Sequence, residues 1–424
     1  MSSIQALQCK ECRQSYPLEA AYFCENCFGP LEVSYDFSGL DAESTRRRIQ
    51  AGPNTIWRYA DFLPFERPHP TSGHRQPTAL AAGVTPLVRA DRLADQLGVG
   101  EVWVKNDAAN PTHSFKDRVV TIALAKAREL GYEVVACAST GNLANAVAAH
   151  AAAAGLESYV FVPADLEEQK ILATGIYGTK LVAVKGNYDD VNRLCTELSA
   201  ERENWAFVNV NVRPYYAEGS KTLAYEIAEQ LGFELPDRVV VPVASGSLFT
   251  KIARGFEEWL EVGLVKGELP TMNGAQAAGC SPVANAFEAG KSVCSPVKPE
   301  TIAKSLAIGD PADGPYAVEL ARRTGGSVES VTEDEIREGI KLLAETAGIF
   351  TETAGGVTTA TLAKLAREGE IGDERVVLTI TGEGLKTLDA VRGAFETHEI
   401  EPAASAFAEE FGPAPVAEAA GPRV

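Results

Sequence analysis

The sequence predicts an α/β protein built on parallel sheet with helices on both faces, preceded by a small zinc-ribbon-like segment. Three observations lead there. From Thr85 onward, short Val/Ile-rich runs alternate with helix-length Ala/Leu/Glu-rich runs. Near-continuous apolar strands of that kind are buried on both faces, as in parallel sheet. Four of the eight cysteines crowd the first 27 residues as two C-x-x-C pairs. The 424 residues also exceed one ordinary core, so two domains or more are expected.

The elements follow in chain order. Cys9-Lys-Glu-Cys12 and Cys24-Glu-Asn-Cys27 are separated by eleven residues. Each pair makes a knuckle that points two thiolates at one spot, and two knuckles complete a tetrahedral zinc site. Gly29-Pro30 supplies a tight turn after the second pair. Four sulfur ligands leave no open position, so the expected role is structural. A knuckle that folds without metal and a redox pair are the competing readings.

The zinc-knuckle segment is set at 1–40. A polar, Pro-rich stretch from 41 to 84 has no sustained period and reads as a connector lying over a neighbouring domain. Strand–helix pairs then recur: VVACAS with ANAVAAHAAAAG, YVFVPA with LEEQKILATG, KLVAVKG with VNRLCTELSAE. WAFVNVN precedes SKTLAYEIAEQLG, RVVVPVA precedes LFTKIARGFEEWL, and RVVLTIT precedes a last helix from about Gly384 to Phe395. An eight-fold barrel alternates in the same way, and the pattern alone leaves both open. The Ala/Pro/Glu-rich tail, 399–424, is aperiodic and reads as mobile.

Composition narrows the function. Lys plus Arg is 39 and Asp plus Glu is 58, a formal charge of −19. Such a surface repels phosphate backbones and anionic membranes, which argues for no nucleic acid and no membrane as partners. A small anionic substrate stays compatible, because a few local donors can hold one. The first ten residues, MSSIQALQCK, carry no basic leader or apolar signal core, and no apolar run is bilayer-length. The expected location is the cytoplasm, where thiols stay reduced.

Several turns could carry chemistry. In Asn110-Pro-Thr-His-Ser-Phe-Lys116-Asp117-Arg118, Ser114 is a fair helix cap, and Lys116 falls in the first helical turn. A lysine there can be presented as the nucleophile of an imine. The bland alternative is a solvated Lys-Asp-Arg at a helix start. Ser139-Thr140-Gly141-Asn142 follows the VVAC strand and places hydroxyls and backbone N–H groups at a helix N-terminus, a ready anion site or a plain βα turn. Ala244-Ser245-Gly246-Ser247-Leu248 has the same construction after RVVVPV. Thr381 stands at the carboxyl edge of the last strand, where ligands of open α/β sheets bind, or serves as a cap. Asn209, Asn211, Arg213 and Lys221 cluster at another strand end. The histidines form no metal-spaced set, and no HExxH, GxSxG, Walker or GxGxxG pattern occurs.

Taken in order, SFKD, STGN, the small-residue loop after VPV, KSLAIGDPADGPYA, GIFTETAGGVT and TGEGLKT make the chain resemble the threonine synthases. These are pyridoxal-phosphate enzymes of the tryptophan-synthase-β fold family, and the likeness runs from about Gly83 to Phe395. N-terminal knuckles also occur in that group. The resemblance implies two doubly wound three-layer α/β domains, the PLP-dependent fold type II. A large cofactor domain would take 85–120 and 213–398, and a small α/β domain 121–212. It implies Lys116 as the Schiff-base residue and mobile base, Asn142 at the cofactor's ring oxygen, residues 244–248 around its phosphate, and Thr381 at the pyridine nitrogen. Ser139 and Thr140 would take the substrate carboxylate. A homodimer is implied as well.

The implied reaction converts O-phospho-L-homoserine and water to L-threonine and phosphate by γ-elimination and β-addition of water. The phosphate pocket departs from the family pattern N-P-x-R-x-E-G-Q-K-T. Tyr216 stands where the arginine is expected, Arg213 lies three residues earlier, and Leu143 replaces a threonine often found after STGN. Asn209, Asn211, Arg213 and Lys221 are therefore the candidate phosphate ligands. Cysteate synthase and threonine dehydratase are sibling readings, and a zinc-knuckle binding protein on an inactive α/β body is the non-enzyme reading.

Overall fold

A computed structural model describes residues 3–65, 80–186 and 188–412. The N-terminal segment is a three-stranded antiparallel sheet, Ser15–Tyr16, Ile4–Cys9 and Leu31–Tyr35 in spatial order. Ile4, Leu7, Cys9, Leu31 and Val33 are buried in a core shared with Val119, Val120, Ala123 and Leu124. The knuckle segment is therefore packed into the body that follows.

Within the connector, Ala42–Gln50 form a helix whose N-cap, Asp41, accepts the Ser44 N–H at 2.9 Å. Ile56–Phe62 form a 3-10 stretch that buries Ile56, Trp57, Tyr59 and Phe62. Tyr59 and Phe62 pack on the rings of Tyr225 and Trp259. The connector thus reaches into the core as well as lying over it. A seven-residue stretch with three residues per turn leaves no 3.6 period to read. Residues 66–79 of that connector lie outside the described ones.

Two open sheets carry the rest, which excludes the closed barrel. The six-stranded sheet runs Val328–Val331, Thr271–Ala277, Arg238–Pro242, Arg375–Ile380, Glu101–Asn106, Leu87–Arg89. All its pairs are parallel except the last, which is antiparallel. The four-stranded sheet is wholly parallel, in the order Lys180–Val184, Glu157–Pro163, Val134–Ala138, Trp205–Phe207. Arg238–Pro242 and Val134–Ala138 are buried at every position, as the unbroken apolar runs required. Between the sheets in chain order lies the helix Lys116–Glu129, buried from Asp117 to Ala127. It packs on the helices Asn142–Ala154 and Arg213–Glu218.

After the last strand the chain forms a 3-10 helix, Gly384–Val391, broken at Thr387 (φ −138°, ψ 44°), in place of the α-helix expected to Phe395. Residues from Leu388 onward form a compact unit of their own. In it Ala404–Phe411 is helical, with the Phe407 and Phe411 rings 4.8 Å apart, while 413–424 of the expected tail lie outside the described residues. Among the described residues no helix is long and apolar enough to cross a membrane.

Candidate active site

Lys116 opens its helix at the carboxyl end of the central strands. Ser114 does not cap it: the preceding residue in the cap position is Phe115, in αR conformation, and the Ser114 Oγ is buried without a hydrogen-bond partner among the described residues. The chain is aimed instead by backbone. His113 takes a left-handed φ of 62°, Ser114 bridges Gly382, and the Phe115 N–H donates to the Thr381 carbonyl at 3.0 Å. Lys116 is half-buried, and its Nζ donates to the Tyr216 hydroxyl at 3.1 Å, 4.5 Å from the centre of the Phe115 ring. Tyr216, the residue standing in for the expected arginine, thus touches the amine.

The next two residues are not solvated. Asp117 accepts from the Thr112 N–H and Oγ1 and pairs with His150 at 2.7 Å. Arg118 grips Asp107 and Glu226 with both carboxylates at 2.6–2.8 Å. Burial alone would raise Glu226, but Arg118 and Lys105 hold its carboxyl down at about 2.

Asn142 begins the helix after Ser139-Thr140-Gly141. Its Nδ2 donates to both Glu352 oxygens at 3.1 and 3.0 Å, and its Oδ1 accepts from Lys386 Nζ at 2.7 Å. Lys386 also donates to the Thr112 carbonyl at 2.6 Å. Burial raises the Glu352 carboxyl above its ordinary range, with Asn142 and the charges of Lys386 and Lys116 pulling the other way. Burial likewise lowers the Lys386 ammonium, against the pull of Glu352. A Cβ on Gly382 would run into the Glu352 carboxylate and displace it from Asn142. Glu352 and Lys386 went unassigned in the sequence, although both lie in quoted motifs; the signal was a lone carboxylate opening an Ala/Gly helix start.

The loop 244–248 leaves the strand Arg238–Pro242 and opens the helix Ser247–Val262. Gly246 has φ 94°, and a Cβ there would lie 2.7 Å from the Asp313 carbonyl oxygen, so only glycine fits. The first N–H groups of a helix lack intrahelical acceptors, so Ala244 to Leu248 form a cradle suited to a phosphate. Thr381 is buried at the end of Arg375–Ile380. Ser139 accepts from the Gly141 N–H at 3.4 Å, and Thr140 is half-buried beside it.

The strand-end cluster divides. Asn211 caps its own strand, accepting from the Phe207 N–H at 2.9 Å and donating to the Trp205 carbonyl at 3.0 Å. Lys221 is fully buried, bonded to Glu218, Glu258 and the Phe62 carbonyl at 2.6–3.1 Å. Those two side chains, expected among the phosphate ligands, already have protein partners. The reason is that Lys221 opens a helix turned towards the aromatic core. Asn209 keeps a buried Oδ1 without a partner among the described residues, and Arg213 pairs with Asp313 at 2.9 Å.

The four early cysteines converge, all Sγ atoms lying within 4.8 Å of one another, with Cys9–Cys27 and Cys12–Cys24 at 3.5 Å. Four thiolates around a tetrahedral ion, each about 2.3 Å from it, need spacings of that size.

Residues 78–382 match the model of the family described as pyridoxal-phosphate dependent enzyme. The chain is 39% identical over 399 residues to a threonine synthase of Methanocaldococcus jannaschii, covering 93% of this chain and 96% of that one. It is 37% identical over 351 residues to a threonine synthase of Halalkalibacterium halodurans, covering 82% and 93%. The chain belongs to the threonine synthase family of pyridoxal-phosphate dependent enzymes. Among solved structures, the processed threonine deaminase isoform 2 of Solanum lycopersicum aligns with a TM-score of 0.62 at 21% identity, over 84% of this chain and 89% of that one. Maize serine racemase aligns with a TM-score of 0.59 at 18% identity, over 81% and 94%. These likenesses show the shared fold, fold type II. The residues present fit the family's cofactor: an amine at a helix start, a glycine cradle at a second helix start and a hydroxyl at a strand end.

Proposed function

We propose that the chain converts O-phospho-L-homoserine and water to L-threonine and phosphate. What carries this reading is the near-full-length likeness to threonine synthases, joined to an amine, Lys116, bonded to the Tyr216 hydroxyl, and to a glycine-built phosphate cradle at a second helix start. Bound pyridoxal phosphate supplies an electron sink that acidifies the hydrogens on the substrate's α- and β-carbons. The residues of the chain do the rest. Ala244 to Leu248 would seat the cofactor phosphate, Thr381 would meet its pyridine nitrogen, and Lys116 would anchor it and then carry protons among the substrate's carbons. Asn142, oriented from both sides by Glu352 and Lys386, would offer its amide to the ring oxygen. Ser139 and Thr140 would bind the substrate carboxylate, and Asn209 and Arg213 remain as ligands for its phosphate.

Zinc would bind Cys9, Cys12, Cys24 and Cys27 in a structural role, supported by the spacing of the four sulfurs. The family resemblance also supports a cytoplasmic homodimer, which sedimentation at graded concentration tests. The deciding experiment measures phosphate release from O-phosphohomoserine and O-phosphoserine, with identification of the amino-acid product. Threonine from the first substrate supports the reading; release from phosphoserine alone replaces it with a cysteate-synthase-like activity. Borohydride should fix the cofactor to Lys116, and an adduct persisting in Lys116→Ala would overturn that assignment.

A further inference from the structure

The turn between the first two cysteines reaches the cofactor cradle. Lys10, between Cys9 and Cys12, places its Nζ 3.4 Å from one Asp313 oxygen, while Arg213 Nη2 lies 2.9 Å from the other. Both side chains are mostly covered, with 16% and 34% exposure, and Asp313 has 10%. Asp313 is built into the cradle: its N–H donates to the Ser245 carbonyl at 2.8 Å, and its own carbonyl is the atom that forces glycine at 246. The lysine is itself held, its Nζ lying 3.5 Å from the centre of the Tyr316 ring, while the Tyr316 hydroxyl donates to Glu11 of the same knuckle. Two cations from distant parts of the chain therefore meet on one carboxylate at the edge of the loop 244–248.

Arg213 sits three residues before Tyr216 on one short helix, so the two share a face. Tyr216 reaches Lys116, where the substrate's carbon chain must lie, and Arg213 reaches Asp313. The cofactor's phosphate has backbone N–H groups to receive it in the cradle. The cation pair, linked to Lys116 through Tyr216 one helix turn on, is left for a second phosphate monoester. Both strengths match the chemistry: a dianion takes a guanidinium fork and an ammonium point charge together.

We propose that Lys10 and Arg213 form the seat of the substrate's phosphate, with Asp313 as the counter-ion that holds both cations in place until the phosphate arrives. The cysteine knuckle then serves specificity, because the metal that orders residues 9–12 also places Lys10. This rests on the proposed reaction only for the identity of the phosphate ester.

The test uses the holoenzyme with its zinc content measured, and inorganic phosphate and O-phosphohomoserine as probes. Lys10→Met keeps the aliphatic stem over Tyr316 and removes the charge. It is expected to weaken inorganic phosphate binding, and to raise the half-saturating substrate concentration, by about tenfold to a hundredfold. Cofactor content and its absorbance band should be unchanged. Lys10→Arg should restore most of the loss, Arg213→Gln, which leaves the knuckle untouched, should repeat it, and zinc chelation of the wild type should move phosphate binding the same way. Wild-type phosphate binding in a zinc-replete Lys10→Met overturns the proposal. So does a loss confined to cofactor retention, which would give the pair to the cofactor's phosphate. If Lys10→Met loses zinc, the zinc-replete Lys10→Arg and Arg213→Gln decide: retained phosphate binding in the first with weakened binding in the second supports the shared seat, and any other pairing overturns it. If the wild type binds phosphate through Lys10 yet releases none from O-phosphohomoserine, the reaction reading fails and the phosphate seat stands.

Discussion

Lys116 and Arg118 stand two residues apart at one helix start and have opposite fates. Lys116 is half-buried and holds one hydroxyl, Tyr216, at 3.1 Å. Arg118 has no exposed surface and binds Asp107, Glu226, Thr222 and Thr85. The proposed reactive amine would need few fixed partners, whereas a cation that braces the helix start has many. The motif Lys-Asp-Arg therefore sets a lightly held amine beside a clamped base, with Asp117 and His150 clamping the turn between.

Predictions follow from that contrast in order of size. Lys116→Ala should lower the turnover rate by at least about a thousandfold, while changing thermal stability by less than about 1 kcal/mol. A large loss in melting temperature would break the contrast, since Lys116 would then belong to the scaffold. Arg118→Met strips the guanidinium from two buried carboxylates, leaving Glu226 to Lys105 alone among its cations and Asp107 to the Thr85 hydroxyl. It should cost about 3–5 kcal/mol of stability, read by denaturant unfolding, with activity lost only as the fold is lost. Acid should loosen the clamp. Glu226 has a folded value of about 2 against an ordinary 4.5, so its stabilisation is present above the ordinary value and is lost as pH falls from there towards 2. That loss is about 3 kcal/mol, and acid unfolding curves of wild type and Glu226→Gln should converge at the low end of that range.

The smallest effect concerns Glu352. Its carboxyl is raised by burial, so its favourable contribution is complete below the ordinary carboxylate range and falls away as pH rises through its folded value. Glu352→Gln should therefore remove that pH dependence, with less change in stability than Arg118→Met. It should also release the Asn142 amide from its fixed orientation, read as a shift in the cofactor's absorbance maximum.

The local setting of the candidate residues was legible in sequence order. Lys116, the 139–142 turn, the loop 244–248 and Thr381 each follow a strand or open a helix, the places where open α/β sheets present ligand-binding groups. The strand-end cluster was less legible. Asn211 and Lys221 carry the residue types of a phosphate site, yet they cap a strand and neutralise Glu258. Residue type tells which ion a side chain can hold, and only its packing tells which ion it meets. The same holds for Ser114, a good cap by type whose hydroxyl is left without a cap bond.

The local chemistry was set by the sequence alone: apolar runs that must be buried on both faces, two thiolate knuckles, and a small-residue loop at 244–248. Those depend on neighbours along the chain, so a linear reading reaches them. The tertiary structure decided the long-range pairings. It set Lys10 and Arg213 against Asp313 across the chain, Asn142 between Glu352 and Lys386, and Lys116 against Tyr216. Such contacts arise from how two sheets and a knuckle segment pack, because burial removes water as the alternative partner for each charge.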